Sequence, residues 1–406
     1  MERRVVLAAV IVGLAARLAF GMFYWVDRPL THDEREYLAL ARSVAAGRGF
    51  TYPPGHDTGT AQQFGRAPAY PLFLAALGVP DRDIPSTPLR VKIAQSFLGA
   101  AVVWLIALMA GRALGPRAAM AAATIAAVYP PLVWMCAYVL SETLFSLVAL
   151  GAAFVLDRAM DRARKHVTGG AGTLLAGLLT GAATLVRPVM LFFLALALLW
   201  ILRRHRPALA VAFLVGALAV ILPWTARNYR VHDRLVLVAS EGGVTFWTGN
   251  HPLARGDGDL AANPDLKRAE LEFRKGHAGL TAEELEPLYY RDAIAHIADH
   301  PGWWLSLVAR KAFFAIVPVG SSYTLHSWRY ATASIASYLL LLPLALAGVT
   351  RLWNVPGRPT ALLLSAASAL VASLVFFPQE RFRIPVLDPT MIVCASALVA
   401  ARVERP

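Results

Sequence analysis

Charge is scarce in this chain. Of its 406 residues 16% are charged and 57% are hydrophobic, with a mean hydropathy of +0.53; soluble domains carry about 25% charged residues. The few charges are clumped between long Ala/Leu/Val runs, which excludes an ordinary soluble globule and points to an all-α polytopic membrane protein. The short alternating segments of a barrel are missing, and backbone groups in lipid must then be satisfied within helices. Lysine is nearly absent, five of 39 basic residues. The arginines behind the net charge of +13 sit mostly in short loops between apolar spans, where membrane orientation explains them without nucleic acid. Only two cysteines occur, Cys136 and Cys394, both in apolar segments; they are expected to be free. The first apolar segment has no small-residue cleavage site and is expected to remain as an anchor. No internal repeat stands out, and the two halves lack the matched broken segments of an inverted-repeat transporter. P-loop, dinucleotide and Ser-His-Asp signatures are absent too.

Ten segments read as spans: 5–25, 89–111, 117–136, 138–156, 171–186, 188–202, 208–225, 331–350, 360–378 and 384–401. Very short links predict tight hairpins for 117–136/138–156 and 171–186/188–202. The Arg-rich junctions "MERR", "GRALGPR", "DRAMDRARKH", "RRHRP", "RLWNVPGR" and "ARVERP" alternate along the chain, so the positive-inside rule places both termini in the cytoplasm. Two long polar regions, 26–88 and 226–330, then face outward, and long loops of this kind usually carry function. Residues 33–46 predict a helix with Tyr37, Leu38, Leu40, Ala41 and Val44 on one face, suited to lying on the membrane surface; 283–299 reads similarly. Segment 303–319 carries Arg310 and Lys311 at its middle, costly in a bilayer, and reads as interfacial or re-entrant; 68–79 is too short to span.

The first outer loop opens with "THDEREYLALARSVAAGRGF", residues 31–50. Asp33 and Glu34 could merely face water, or favour the first turn of the helix they begin. A carboxylate held at the lipid boundary is also partly desolvated, which raises its pKa and its basicity toward a hydroxyl proton. Arginine nearby can hold a phosphate through paired hydrogen bonds. Together these are the minimum for transfer from a phosphate-linked donor.

The stretch 31–50 resembles the first-loop motif of GT-C membrane glycosyltransferases, the superfamily of protein O-mannosyltransferases and lipid A aminoarabinose transferases. Further likenesses follow in order: "RAPAYPLFL" at 66–74, "YVLSETLFSLVAL" at 138–150, "LVRP" at 185–188, "PWTARNYRVHDRLVLVASEGGVTFWTGN" at 223–250 and "QERFRIPVLDP" at 379–389. The resemblance implies a single GT-C transmembrane domain over 1–406, with about 10–11 transmembrane helices and two large extracytoplasmic loops carrying interfacial helices, in a bacterial inner membrane. It implies an inverting glycosyltransferase that moves a sugar from a polyprenyl-phosphate donor to an acceptor hydroxyl on a glycan, lipid or protein, outside the membrane, without a cofactor. Asp33 and Glu34 become the catalytic pair, in either order. Arg66, Arg187, Arg381 and Arg383 become donor-phosphate ligands.

Each of these residues also has a plainer reading. Arginines at a membrane edge snorkel to lipid headgroups. Glu142 sits near a helix start, where an acid is favoured, yet an ionisable group there is also a functional candidate. Tyr37, Trp247 and Asn250 offer the aromatic faces and amides that sugar sites use, but a turn beneath a surface aromatic looks the same. His32, Asp33, His56 and Asp57 match no standard metal-ligand spacing. The rival to an enzyme is a non-catalytic binding protein or flippase for the same lipid, which would use the arginines without the acidic pair.

Overall fold

The described residues of the computed structural model are 2–52, 65–79, 84–165, 169–258, 260–319, 327–353, 355 and 357–400, and among them order is helical, with no strand and a single isolated bridge between Pro29 and Ser86. Helix α1 (Glu2–Ala19) continues through a π-turn at Phe20–Tyr24. The first loop carries α2 (His32–Ala45) and α3 (Ala69–Ala76). Then come α4 (Leu89–Leu114), α5 (Pro116–Val128), the short α6 (Pro130–Trp134), α7 (Glu142–Arg164), α8 (Gly170–Val186), α9 (Met190–Arg204) and α10 (Pro207–His232). The second loop holds α11 (Gly242–Asn250), α12 (Pro264–Gly276), α13 (Ala282–Asp299) and α14 (Pro301–Ile316). Last are α15 (Trp328–Trp353), α16 (Thr360–Val375), α17 (Glu380–Arg383) and α18 (Leu387–Ser396).

All ten apolar segments contain helix, but length separates them. Among the described residues five helices are long and apolar enough to cross a membrane: α1 with its π-turn, α4, α7, α10 and α15. A sixth span results if α5 and the chain from Pro130 to Ala137, bent by 63°, count as one. The 17 residues of α8 reach about 25 Å at 1.5 Å per residue, short of a ~30 Å hydrocarbon core. A count of ten full spans is therefore not met on helix length. The predicted hairpins are also corrected. Helix α5 packs against α1, α4 and α18, while α7 packs against α4, α8 and α16. Helix α8 lies chiefly on α7 and α10, and α9 chiefly on α16 and α10. A short link fixes where two helices meet, not which faces they present. The α8–α10 contact is close because small residues face each other: a Cβ on Gly177 would lie 2.1 Å from the Phe213 carbonyl oxygen, and one on Gly216 2.4 Å from that of Leu174.

Helix breaks inside the bundle leave backbone groups that need partners. Pro130 and Pro131 have no N–H to give the carbonyls four residues back, Ala126 and Ala127. Arg17 of α1 replaces both donors: its Nη2 donates to Ala126 O at 3.2 Å and its Nη1 to Ala127 O at 3.2 Å. Arg17 is 1% exposed, and Gly99 of α4 leaves room for it, since a Cβ there would lie 2.6 Å from its Nε. The α16 N-terminus is served likewise by Asp157 of α7, which accepts the Ala361 N–H at 2.8 Å and that of Leu362 at 3.4 Å.

The first-loop helix does not keep its apolar face for lipid. Leu38, Leu40 and Ala41 are almost fully buried, and Leu38 and Ala41 join Tyr70 and Leu74 of α3 in the main core. The second loop has its own small core of Trp247, Leu266, Leu285, Tyr289 and Ala293. Helix α14 fits the non-spanning reading: Arg310 is exposed, and Lys311, fully buried, donates to Asn250 Oδ1 at 3.0 Å and to the Leu374 carbonyl at 3.2 Å. Lys311 thereby caps the C-terminal carbonyls of α16 instead of meeting lipid.

Replacing Arg17 by Met keeps the length of the side chain but strands two buried carbonyls. It should lower unfolding stability by about 3 kcal/mol, the scale of buried charge-assisted hydrogen bonds. Thermal unfolding of the detergent-solubilised protein measures this, and an unchanged midpoint would refute the capping role.

Candidate functional site

The site begins with the cap of α2. The sequence Thr31-x-x-Glu34 is a helix-start signature. Glu34 reaches back so that its Oε2 accepts the Thr31 N–H at 2.8 Å and the Thr31 hydroxyl at 2.9 Å. Its Oε1 accepts the Val139 N–H at 2.8 Å, tying α2 to the irregular chain before α7. Glu34 is 2% exposed, and its burial raises its pKa against these three donors. With Glu34 turned inward, Asp33 turns outward, and Glu36 and Tyr37 follow it at helical spacing.

Asp33 meets two arginines from distant segments. Its Oδ1 accepts Arg66 Nη2 at 2.9 Å and its Oδ2 accepts Arg381 Nη1 at 2.6 Å. Arg66 also donates through Nε to Glu36 Oε2 at 2.9 Å and through Nη1 to Glu241 Oε2 at 2.6 Å. It thus gathers three carboxylates and lies over the Tyr37 ring, 5.5 Å from its centroid. Two hydrogen bonds position it: the Gly65 N–H donates to the Ser240 side-chain Oγ at 2.7 Å and the Ser240 N–H to Gly65 O at 3.0 Å. The first loop therefore lies beside the second where Arg66 and Glu241 leave the chain.

A second pair stands close by. Arg187, extended before Pro188 as the residue preceding proline prefers, places Nη1 2.6 Å from Glu142 Oε1 and 3.2 Å from Ser141 Oγ. Arg187 and Arg381 both lie over the Phe382 ring, 5.1 and 5.2 Å from its centroid. A cavity of about 1040 Å³ joins these groups. Asp33, Tyr37, Arg66, Glu142, Arg187, Arg381 and Glu241 line it together with Met190, Leu191 and Phe192 of α9, Ala369 and Ala372 of α16, and Phe376 just beyond it. Charged groups and an apolar wall thus share one space, the combination a lipid-linked polar ligand requires.

The electrostatics reverse one expectation. Burial pushes the Asp33 pKa up, as the lipid-boundary argument held, but Arg381 and Arg66 outweigh it and hold the carboxyl well below the ordinary range. Burial raises Glu241, with Arg66 opposing and Asp33 and Glu36 reinforcing. Burial also raises Glu286 to about 7, although it accepts backbone N–H groups from Gly243 and Gly242.

Four of the predicted site residues lie elsewhere. Glu34 is the inward cap just described. Arg383, on the face of α17 opposite Arg381, packs 3.7 Å over the Tyr338 ring and pairs with Asp388 at 3.2 Å, while the Tyr129 hydroxyl donates to the same carboxylate at 3.1 Å. Trp247 is 1% exposed in the core of the second loop, its Nε1 donating to Asp292 Oδ2 at 2.6 Å. Asn250 joins elements: its Nδ2 donates to Val375 O at 2.9 Å, and its Oδ1 accepts Trp304 Nε1 at 3.1 Å as well as Lys311. The glycines of "EGGVTFWTGN" are close-approach positions, since a Cβ on Gly243 would lie 2.3 Å from Glu286 O and one on Gly249 2.0 Å from Phe376 O. His56 and Asp57 lie outside the described residues. Glu36, Glu241 and Phe382 enter the site unannounced. Helical spacing from Asp33 could have found the first, and adjacency to the glycine pair the second.

No protein-family model matches this chain, and no curated protein does. Solved structures do. The archaeal oligosaccharyltransferase AglB from Archaeoglobus fulgidus, in complex with an inhibitory peptide and a dolichol-phosphate, is 13% identical over 98% of this chain and 50% of its own, with a TM-score of 0.53. The apo form of the Archaeoglobus fulgidus oligosaccharyltransferase is 14% identical, with the same coverages and a TM-score of 0.52. ArnT from Cupriavidus metallidurans, bound to undecaprenyl phosphate, aligns with 98% of this chain and 77% of its own at 14% identity and a TM-score of 0.39, too low to argue from. The chain spans about half the length of the archaeal oligosaccharyltransferases it matches. The chain shares the GT-C fold with these archaeal structures.

Proposed function

We propose that this chain is an inverting glycosyltransferase of a bacterial inner membrane, taking its sugar from a polyprenyl-phosphate-linked donor. The observation that carries the reading is the meeting of Asp33 with Arg187 and Arg381 in one cavity whose remaining wall is apolar. Arg-rich junctions support cytoplasmic termini and an outward-facing site. The prenyl chain would lie along α9 and α16, with its phosphate on Arg187 and Arg381. Arg66 is the poorer phosphate ligand, because three carboxylates already neutralise it.

In the proposed step Asp33 accepts the proton of an acceptor hydroxyl as that oxygen bonds to the anomeric carbon. The bond from the anomeric carbon to the phosphate oxygen breaks, and its electron pair leaves on the polyprenyl phosphate. Phosphate is a good leaving group, so the protein supplies a base and cationic stabilisation, and no cofactor enters the proposal. Glu142, through Arg187, and Tyr37, beneath Arg66, position the two cations.

Asp33→Asn should lower transfer from a polyprenyl-phosphate sugar by 100-fold or more, the usual scale of a general base, while donor binding persists. Glu34→Gln should keep transfer within a few-fold and lose stability instead, because it weakens a cap. Turnover and donor binding measured on both variants check this. Full transfer by Asp33→Asn would refute the assignment; lipid translocation without transfer in the parent chain would favour the flippase.

Arg66→Met should leave Glu36 and Glu241 without their guanidinium and Asp33 with Arg381 alone, and destabilise the fold by about 3–5 kcal/mol, the cost of breaking a buried pair. The pH dependence follows from the sign of the lost charge. Arg66 lowers the pKa values of Asp33 and Glu241; without that cation both rise, so the folded state binds more protons and stability falls as pH rises. The melting temperature of Arg66→Met should recover between pH 8 and pH 5 by more than that of the parent, and parallel curves would contradict the arrangement.

A further inference from the structure

We propose that Asp33 and the donor phosphate compete for Arg381, so that the base is released only when the donor is in place. This rests on the donor reading above and adds an order of events to it. Both oxygens of Asp33 are occupied by guanidinium groups, Oδ1 by Arg66 and Oδ2 by Arg381. A base bonded in this way is poorly placed to receive a proton from an acceptor hydroxyl, so one arginine has to withdraw.

Charge balance also requires an exchange. Four carboxylates, Asp33, Glu36, Glu142 and Glu241, are held by three guanidinium groups, Arg66, Arg187 and Arg381. Among these described ion pairs the acids outnumber the guanidinium groups before any ligand arrives, and a phosphodiester adds a further negative charge to a partly desolvated space. It binds favourably by taking a guanidinium from a carboxylate that can spare one.

The three arginines differ in how readily they can be taken. Arg66 is shared among three acids from two loops, so its withdrawal exposes all of them. Arg187 faces Glu142, whose side chain is 1% exposed, and its loss strands a fully buried charge. Arg381 faces Asp33, whose side chain is 23% exposed and keeps Arg66 when Arg381 leaves. Arg381 is itself 32% exposed, with its Nε on Gln379 Oε1 at 2.9 Å, and it lies over the same Phe382 ring as Arg187, so one side chain carries both cations beside the proposed phosphate position. The exchange gives Asp33 back a free oxygen as the leaving group acquires its second cation.

Coupling of this kind is reciprocal. If the phosphate draws Arg381 from Asp33, the charge on Asp33 must weaken phosphate binding by the same factor. The probe is a polyprenyl methyl phosphodiester, which carries the single fixed charge of the donor and no sugar. Its Kd is measured on the parent chain, Asp33→Asn, Arg381→Gln and the double variant. Asp33→Asn should bind it about ten-fold more tightly, within the usual span of site–site coupling, and Arg381→Gln more weakly. The double variant should bind no more tightly than Arg381→Gln alone, because the gain acts through Arg381. Asp33→Ser, equally uncharged, should repeat the gain if Asp33→Asn folds poorly. Equal or weaker binding by both Asp33 variants overturns the proposal, as does a gain that survives in the Arg381→Gln background. No binding to the parent chain would overturn the donor reading itself.

Discussion

One guanidinium holds the two loop regions together. Arg66 leaves the chain just before α3 and bonds Asp33 and Glu36 of α2 and Glu241 at the start of α11. Asp33 and Glu241 are 208 positions apart in the chain: two hydrogen bonds between Gly65 and Ser240 set the register, Ala67 packs with Val238, and Arg66 supplies the charge that lets the acids coexist. A planar fork with five donors can satisfy several carboxylates at fixed angles, which a lysine ammonium cannot. Asp33 owes its position, its ionised form and its access to Arg381 to that geometry.

The bundle beneath obeys a related rule. Lipid offers no hydrogen bonds, so every helix break must be completed by protein. Arg17 at the Pro130–Pro131 break, Asp157 at the start of α16 and Lys311 with Asn250 at its end are three instances. Each places an ionisable side chain where it looks functional in sequence and serves the backbone in space. The break served by Arg17 also leads into the irregular chain whose Val139 N–H fixes Glu34. Repairing the bundle and presenting Asp33 are thus consecutive parts of one path.

Fold class was legible because hydrophobic runs need no partner to be recognised. Helix existence was legible for the same reason, and the loop helices α2 and α13 fall within a residue of their expected starts. Span count and helix neighbours were not, since they depend on bends and on which small residues face each other. Within the site, the acidic pair stood out, but its division of labour did not. Asp33 and Glu34 are adjacent, and a helix turns adjacent side chains about 100° apart, so one had to face away; only the position of Thr31 as N-cap decides which. That signal is local and was present in "THDE". Trp247 and Asn250 were harder, because an aromatic and an amide next to paired glycines fit a sugar site and a tight helix crossing equally well. The glycines make the tight crossing visible through distances, 2.3 Å and 2.0 Å from backbone carbonyls to the Cβ atoms they lack.

The sign of the Asp33 shift has a consequence for the chemistry. Desolvation at a lipid boundary favours the neutral acid, but two guanidinium groups in direct contact favour the anion more strongly, since opposite charges within about 4–6 Å dominate a partly buried site. The two guanidinium contacts therefore favour the carboxylate form and make Asp33 a weak base while both are in place. A weak base suffices where the nucleophile's proton becomes acidic only as its new bond forms and where the leaving group is already a stable anion. It does not suffice where the leaving group needs protonation. The contacts that weaken Asp33 thus accord with the proposed displacement of a phosphate better than with hydrolysis of an ordinary glycoside, which calls for a protonated acid beside the base.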